Sequence, residues 1–328
     1  MRMITGLTVV LACSLLVTGG TAYYFLGPAT NGRSPLPAPV DNDGALAGWA
    51  DDSGWTQRGV TDLCNSTNLF ALEMFSNLSA GGGNILFSPY SMEAAFGMLY
   101  EGARGRTADE IRSVFHFAQN DTARWSSFAA LYNRYCYRSQ GYTIDTAKAV
   151  WVQTGFAVLA QYLDGLAEYY KAKSANLDFR NAAEAARKTI NSWVANRTEG
   201  KITELFPPDS INSNTLLALT NAIYFKGEWV TKFDSKKTKT AEFYTANGGT
   251  VPVRMMSLPD SDVKFDYAGE DGLDILRLPY EGDRLSMLIL LPRAADTKDL
   301  ESRLSPANLS RHDTDRRIAS LWPSSRSC

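Results

Sequence analysis

Hydrophobic positions change their rhythm along this chain. Between Ile4 and Leu26 they are almost continuous, and no charge interrupts them. From Asn65 they become helical: Leu69, Leu72 and Phe75 share one row, with Phe70, Met74 and Leu78 beside it. That spacing predicts an amphipathic helix, ended by Gly81-Gly82-Gly83. Ile85-Leu86-Phe87 reads as a short buried strand. Ser88-Pro89 supplies an N-cap and a first-turn proline for a helix through Met92, Ala95, Phe96 and Leu99. Thr107-Ala108-Asp109-Glu110 has the capping-box form and opens a helix expected to turn Ile111, Val114 and Phe115 inward.

Residues 143–152 read as a strand and residues 157–170 as a helix. Residues 182–196 form a clearer helix, with Ala186, Ile190, Trp193 and Val194 on one face. Residues 216–225 are nearly all apolar, the mark of a strand buried on both faces. Thr220 and Asn221 inside that run then need internal hydrogen-bond partners. Beyond it the chain turns strand-rich, at residues 241–245, 251–256, 263–267, 273–278 and 285–291. Turn signals stand at Gly269-Glu270-Asp271-Gly272 and Glu281-Gly282-Asp283. Early helices and late strands argue for an α+β fold. No repeat of 20–50 residues is visible.

The continuous apolar run at residues 4–26 admits three readings. Arg2, the stretch 7–17 and the small residues 18–22 fit a cleaved signal peptide. The whole run is also long enough for an uncleaved membrane anchor, with Tyr23, Tyr24 and Phe25 at the interface. Lipid attachment at Cys13 has less support, because the apolar stretch before it is short. Each reading exports the rest of the chain, to an extracellular or cell-surface location. Residues 27–60, with Pro28, Pro35, Pro37 and Pro39, read as a flexible stalk. Five glycosylation sequons, at Asn65, Asn77, Asn120, Asn196 and Asn308, suit an exported chain but are short patterns.

Composition narrows the chemistry. The net charge of −2 gives no basic excess to suggest a nucleic-acid partner. Lys236, Lys237 and Lys239 read as a solvated loop. Of the cysteines Cys13, Cys64, Cys136 and Cys328, none forms a CxxC pair, so neither a zinc nor a redox site is indicated. A Cys64–Cys136 bridge and two free thiols both stay open. His116 reads as a helix-end residue and His312 lies in the tail; neither has a nucleophile motif. With no nucleotide loop, metal cluster or G-x-S-x-G motif, the expectation is no enzyme, no catalytic residue, no metal and no cofactor.

Four separated segments carry a family resemblance. They are Asn84-Ile-Leu-Phe-Ser-Pro-Tyr-Ser91, continuing to Gly97-Met-Leu-Tyr-Glu-Gly-Ala103 and residues 107–111; Asn191-Ser-Trp-Val194 with Thr198-Glu-Gly-Lys-Ile202; Leu219-Thr-Asn-Ala-Ile-Tyr-Phe-Lys-Gly-Glu-Trp229; and Val253-Arg-Met-Met256 with Leu278-Pro-Tyr280 and residues 286–292. In order and spacing they resemble the serpins, inhibitors of serine proteases. The resemblance implies a helix-rich region packed on a large central sheet plus smaller sheets. It implies that Ser88, Ser91 and Asn221 lie under the middle of that sheet, at the shutter where it opens. Trp229 would mark the breach at its upper end. These residues would govern sheet opening and do no chemistry.

A family inhibitor offers an exposed loop to a serine or cysteine protease, then inserts the cleaved loop into the sheet. Residues 291–328 contain no hinge of Glu, Gly, Thr and small residues, and no bait bond. Residues 297–309 still resemble the family's late helix, and residues 316–321 loosely resemble the next strand. Trp322-Pro-Ser-Ser-Arg-Ser-Cys328 departs completely, which a frameshift or premature stop near Leu321 would explain. The expected organisation is therefore a leader at 1–26, a linker at 27–60, a partial serpin-like domain at 61–310 and a divergent tail at 311–328. The expected function is protease inhibition at family level, inactive in this truncated form, with an open sheet edge beside residues 216–225. The alternative is a non-inhibitory exported binding or scaffold protein of the same fold.

Overall fold

A computed structural model describes residues 8–14, 48–80, 85–136, 141–245, 249–258, 264–270, 273–282 and 284–292. They fall into two compact units. One comprises the described residues up to 136 and residues 143–226; the other comprises residues 141–142 and 227–292.

In chain order the first unit contains β1 (Thr8–Ser14), α1 (Gln57–Ser79), α2 (Pro89–Gly102), α3 (Arg106–Phe115), α4 (Asp121–Tyr135), β2 (Tyr142–Gln153), α5 (Ala160–Tyr169), β3 (Lys173–Leu177), α6 (Phe179–Arg197) and β4 (Thr215–Gly227). Its sheet has the order β1-β4-β2-β3, with β1 parallel to β4 and β2 parallel to β3. Side chains alternate across β4. Ala218 and Ala222 join Trp151 of β2 and Ile190 and Val194 of α6 in one apolar cluster. Burying Ile190 and Val194 there contributes about 1.5–3 kcal/mol each. Thr220 points the same way, and its hydroxyl accepts a hydrogen bond from Trp151 Nε1 at 3.1 Å. Asn221 points oppositely, as the two-residue period of a strand requires.

The helices pack through a chain of rings. Phe115 lies 4.4 Å from Phe70 and 4.5 Å from Phe96, centroid to centroid, and Phe128 lies 5.0 Å from Tyr170. Gly97 lets α2 approach this layer: a β-carbon there would stand 3.2 Å from the Phe128 ring and 3.1 Å from the Tyr170 hydroxyl.

Local expectations fare unevenly. Helix α2 starts where Ser88-Pro89 predicts. Helix α1 starts earlier than predicted, because the Thr56 hydroxyl accepts from Gly59 N at 3.0 Å. The stalk reading fails for residues 50–60. Ala50 is buried and exchanges two hydrogen bonds with the Asn133 side chain, at 2.8 and 2.9 Å. The expected capping box does not form, since α3 begins two residues earlier, after Gly105 at φ 59°, without a side-chain cap. Val114 is exposed, leaving Ile111 and Phe115 as the inward pair. Residues 85–87 are no strand and pair with none among the described residues; Leu86 is exposed. Helix α4 and strands β1 and β3 were not anticipated.

The open edge expected beside residues 216–225 is also corrected. Strand β1 lies along it, with Val9 to Ser14 opposite Leu217 to Ala222.

The second unit holds an antiparallel pair, β5 (Lys239–Tyr244) with β6 (Thr250–Met255). Its other sheet is antiparallel, with β8 (Leu273–Pro279) between β7 (Asp266–Glu270) and β9 (Ser286–Pro292). Strand β7 begins three residues later than the expected 263. The helix expected at 297–309, the tail at 311–328, His312 and the Gly81-Gly82-Gly83 stop lie outside the described residues.

Candidate functional site

Three of the four residues singled out by resemblance meet where α2 starts. Ser88 leaves the preceding segment in an extended conformation, and its hydroxyl accepts from Ser91 N at 3.3 Å. Pro89 follows at the first helical position, where a missing N–H costs nothing. Both Ser91 and Asn221 are buried. From β4, Asn221 Nδ2 donates to the Ser91 carbonyl oxygen at 2.6 Å. A carbonyl has two lone pairs, so Ser91 can serve its helix and the strand together. Asn221 Oδ1 has no hydrogen-bond partner among the described residues.

Trp229 belongs to the second unit. Its ring stacks on Tyr280, with centroids 4.2 Å apart and planes 15° from parallel. The same two residues form an isolated antiparallel bridge. Around it, Val230 N donates to Pro279 O at 3.1 Å and Glu281 N donates to Glu228 O at 2.8 Å.

Buried charge near α2 escaped the sequence reading. Glu93 is fully buried; Thr67 donates to its Oε2, and its Oε1 has no partner among the described residues. Burial pushes this carboxyl well above the usual carboxylate range, against the weaker effect of the Thr67 bond. Cys64 and Cys136 are buried free thiols, so the bridge does not form. Burial pushes the Cys64 thiol up to about 12 and the Cys136 thiol to about 11, which leaves both poor nucleophiles. Lys148 of β2 donates to Tyr170 O at 3.2 Å, and its ammonium sits 4.6 Å from the Tyr132 ring centroid. Burial pulls it down to about 8.

A buried ion pair ties α2 to α4. Arg124 Nη2 meets Glu101 Oε2 at 2.9 Å, and the Tyr170 hydroxyl donates to Glu101 Oε1 at 2.7 Å. The guanidinium also lies 4.5 Å from the Tyr100 ring centroid. Burial raises the Glu101 carboxyl, with Arg124 pulling the other way.

The second sequence motif is an anchor. Asn191 accepts from Leu205 N and Phe206 N, at 3.1 and 2.9 Å, and donates to Phe206 O at 2.9 Å. Thr198 Oγ1 donates to Val194 O and accepts from Ile202 N, at 2.8 and 3.1 Å. His116 caps α3 at φ 54°, and its Nε2 lies 3.0 Å from Glu73 Oε2. Among the described residues no cluster of three His, Cys, Asp or Glu could hold a metal ion, and no helix is long and apolar enough to cross a membrane.

Comparison with known proteins gives these residues a setting. Residues 65–321 match the family model described as Serpin (serine protease inhibitor). The chain is 38% identical over 248 residues to an uncharacterized serpin-like protein of Methanosarcina mazei, covering 74% of this chain and 58% of that protein. It is 39% identical over 236 residues to leukocyte elastase inhibitor A of Mus musculus, covering 71% and 62%. Less than two thirds of either relative's length is thus spanned. Emu ovalbumin superposes with a TM-score of 0.73 at 28% identity, covering 78% of this chain and 70% of that one. Cleaved kallistatin complexed with heparin gives 0.72 at 25% identity, covering 77% and 75%. The α+β fold with helices on a central sheet is the fold of these proteins. One expectation needs correction. These matches place the chain in the serpin family and make no statement about catalysis, so the expected absence of enzyme activity finds no support in them.

Proposed function

The chain belongs to the serpin family, and from that premise we propose that residues 50–310 are the receiving body of a protease inhibitor whose targets are serine or cysteine proteases. The observation that carries this reading is the hydrogen bond from Asn221 of β4 to Ser91 of α2. In the proposed cycle a protease attacks a bait bond and forms its acyl intermediate. The cleaved segment then joins the central sheet as an added strand, gaining backbone hydrogen bonds and side-chain burial. For that to happen the sheet must part over α2. Ser88, Ser91 and Asn221 act as the shutter in this reading, and Trp229 marks the breach. A buried hydrogen bond of this kind contributes about 1 kcal/mol net, small against the gain from a new strand. It biases the sheet toward closure without preventing opening.

Trapping a protease requires a hinge and bait, and residues 291–328 contain no run of that kind. The proposal is that these 328 residues supply the body and that inhibition needs a further segment. Export fits the same picture, with residues 4–26 as a secretion signal or a membrane tether.

The test is to mix the 328-residue chain with trypsin, chymotrypsin, subtilisin and papain and look for SDS-stable adducts. None is expected. An adduct with any of them overturns the need for a further segment.

A further inference from the structure

We propose that Thr8–Ser14 is a working strand of the central sheet, an edge cover carried by the chain itself for β4. Six consecutive residues, Val9 to Ser14, stand opposite Leu217 to Ala222 in parallel register, Cys13 facing Asn221. Thr8 stands opposite Thr215, so an irregularity falls between Thr8 and Val9 and the pairing is regular from there on.

Two features of the sequence agree with this placement independently. The segment Thr8-Val9-Val10-Leu11-Ala12-Cys13-Ser14 has no charge and no proline, and its first three residues are β-branched. That is the composition of a strand in a buried parallel sheet. The edge it covers is also one that needs covering. Strand β4 runs 13 residues, and from Leu216 to Phe225 it carries no charge, proline or glycine. Natural sheets protect a long apolar edge with such devices or by covering it, because unpaired N–H and C=O groups recruit foreign strands. Here the cover is β1, at the end of the order β1-β4-β2-β3.

The parallel direction fits a cover from a distant part of the chain. A parallel pair cannot be closed by a tight hairpin and needs a long connection. Between Ser14 and Thr215 lies the rest of the first unit. The same seven residues sit inside the run read as a signal or anchor. While paired to β4 as an extended strand they cannot also span a bilayer as a helix, so folding and membrane insertion compete for them. A chain that loses or inserts its leader exposes the β4 edge at the position opposite the shutter residue Asn221. This inference concerns the sheet edge alone and does not depend on protease inhibition.

The test is residue-resolved amide hydrogen exchange on the full chain, made without membranes. In the unmodified chain, the amides of Val9 to Ser14 that point toward β4 are expected to be protected. A double variant, V10P with L11P, removes one N–H from each side of β1, so at least one lost donor faces β4. Exchange at the β4 amides facing β1, between Leu217 and Ala222, is expected to speed by tenfold or more. The amides of Val150 to Val152, paired with β3, should not change and report that the sheet is still folded. A chain lacking residues 1–26, given a synthetic peptide of residues 8–14, should regain the lost protection. Unprotected amides at Val9 to Ser14 in the unmodified chain overturn the proposal, whatever the variant does. Unchanged exchange at Leu217 to Ala222 in a folded variant overturns it equally.

Discussion

Asn221 on β4 and Ser91 in the first turn of α2 are 130 residues apart in sequence and share a hydrogen bond of 2.6 Å, side-chain amide to backbone carbonyl. That bond joins the middle of the central sheet to the start of the helix beneath it. Because it uses a carbonyl of a capped first turn, the Ser88 cap and the Asn221 bond support each other. Capping fixes where Ser91 O points, and Asn221 fixes the strand over it.

Replacing Asn221 with Ala removes the side-chain donor to the Ser91 carbonyl. The expected loss of stability is about 1–2 kcal/mol, read as a lower urea midpoint with an unchanged slope. Ser88→Ala should cost about 1 kcal/mol through the cap. The two losses should fall short of adding in the double variant, because the groups share Ser91. Strict additivity would mean that cap and latch act separately.

Glu93 gives the fold a pH dependence. Its folded-state affinity for a proton is raised by burial above the ordinary value of 4.5, so over the window above 4.5 the folded chain binds a proton that the unfolded chain has lost. Stability therefore falls as pH rises through that window, by at most about 1.4 kcal/mol per unit. Glu93→Gln has no proton to lose and should flatten this decline between pH 5 and 7 in urea titrations. Parallel curves for the two proteins would contradict the assignment.

Lys148 acts in the opposite sense. Its folded value is about 8 against an ordinary 10.5, so between those values the folded chain has shed a proton that the unfolded chain keeps. Stability gains from this group as pH rises from about 8 to 10.5, by up to about 3 kcal/mol in total. Lys148→Met removes that gain. The difference between wild-type and variant midpoints should shrink or reverse across the window, and a constant difference would show that the lysine is solvated.

The Glu101–Arg124 pair should be costly to halve. Glu101→Ala leaves the Arg124 charge buried with only the exposed Asp121 carboxylate still beside it, at 3.0 Å, and is expected to cost about 3 kcal/mol. Glu101→Gln with Arg124→Met removes both charges and should recover most of it. A double variant no better than Glu101→Ala would count against a desolvated pair.

Much of the fold could be read in the sequence because the relevant signals are local. The run at 216–225 announces a buried strand by composition, and Ser88-Pro89 announces a helix start by cap chemistry. Helix α4 gave a fainter signal. Its inward face includes the polar residues Arg124 and Asn133, whose partners Glu101 and Ala50 only the fold brings near, and Ser127, whose hydroxyl bonds to Ala123 O one turn back. The same reason hid Glu93 and Lys148, since nothing in their neighbours along the chain shows that they are buried. The capping box failed because Gly105, at φ 59°, turns the chain into α3 before Thr107 can cap it. Strand β1 was missed because an uninterrupted apolar run at a chain start fits a leader as well as a strand, and only a partner edge distinguishes them. At the site, resemblance singled out Ser88, Ser91 and Asn221, and the fold brings them within hydrogen-bonding reach; their part in sheet opening remains a proposal.

If this body receives an inserted strand as proposed, supplying a bait should let it trap a protease. The direct measurement is a chimera in which residues 1–292 are followed by the hinge, bait and closing segments of mouse leukocyte elastase inhibitor A. The folded chimera would be mixed with an elastase-type serine protease. We expect an SDS-stable complex of about one protease per chimera, lost or turned to plain cleavage when a proline is placed in the hinge. A folded chimera that is simply cut and released, with no stable complex, would show that this body does not receive an inserted strand.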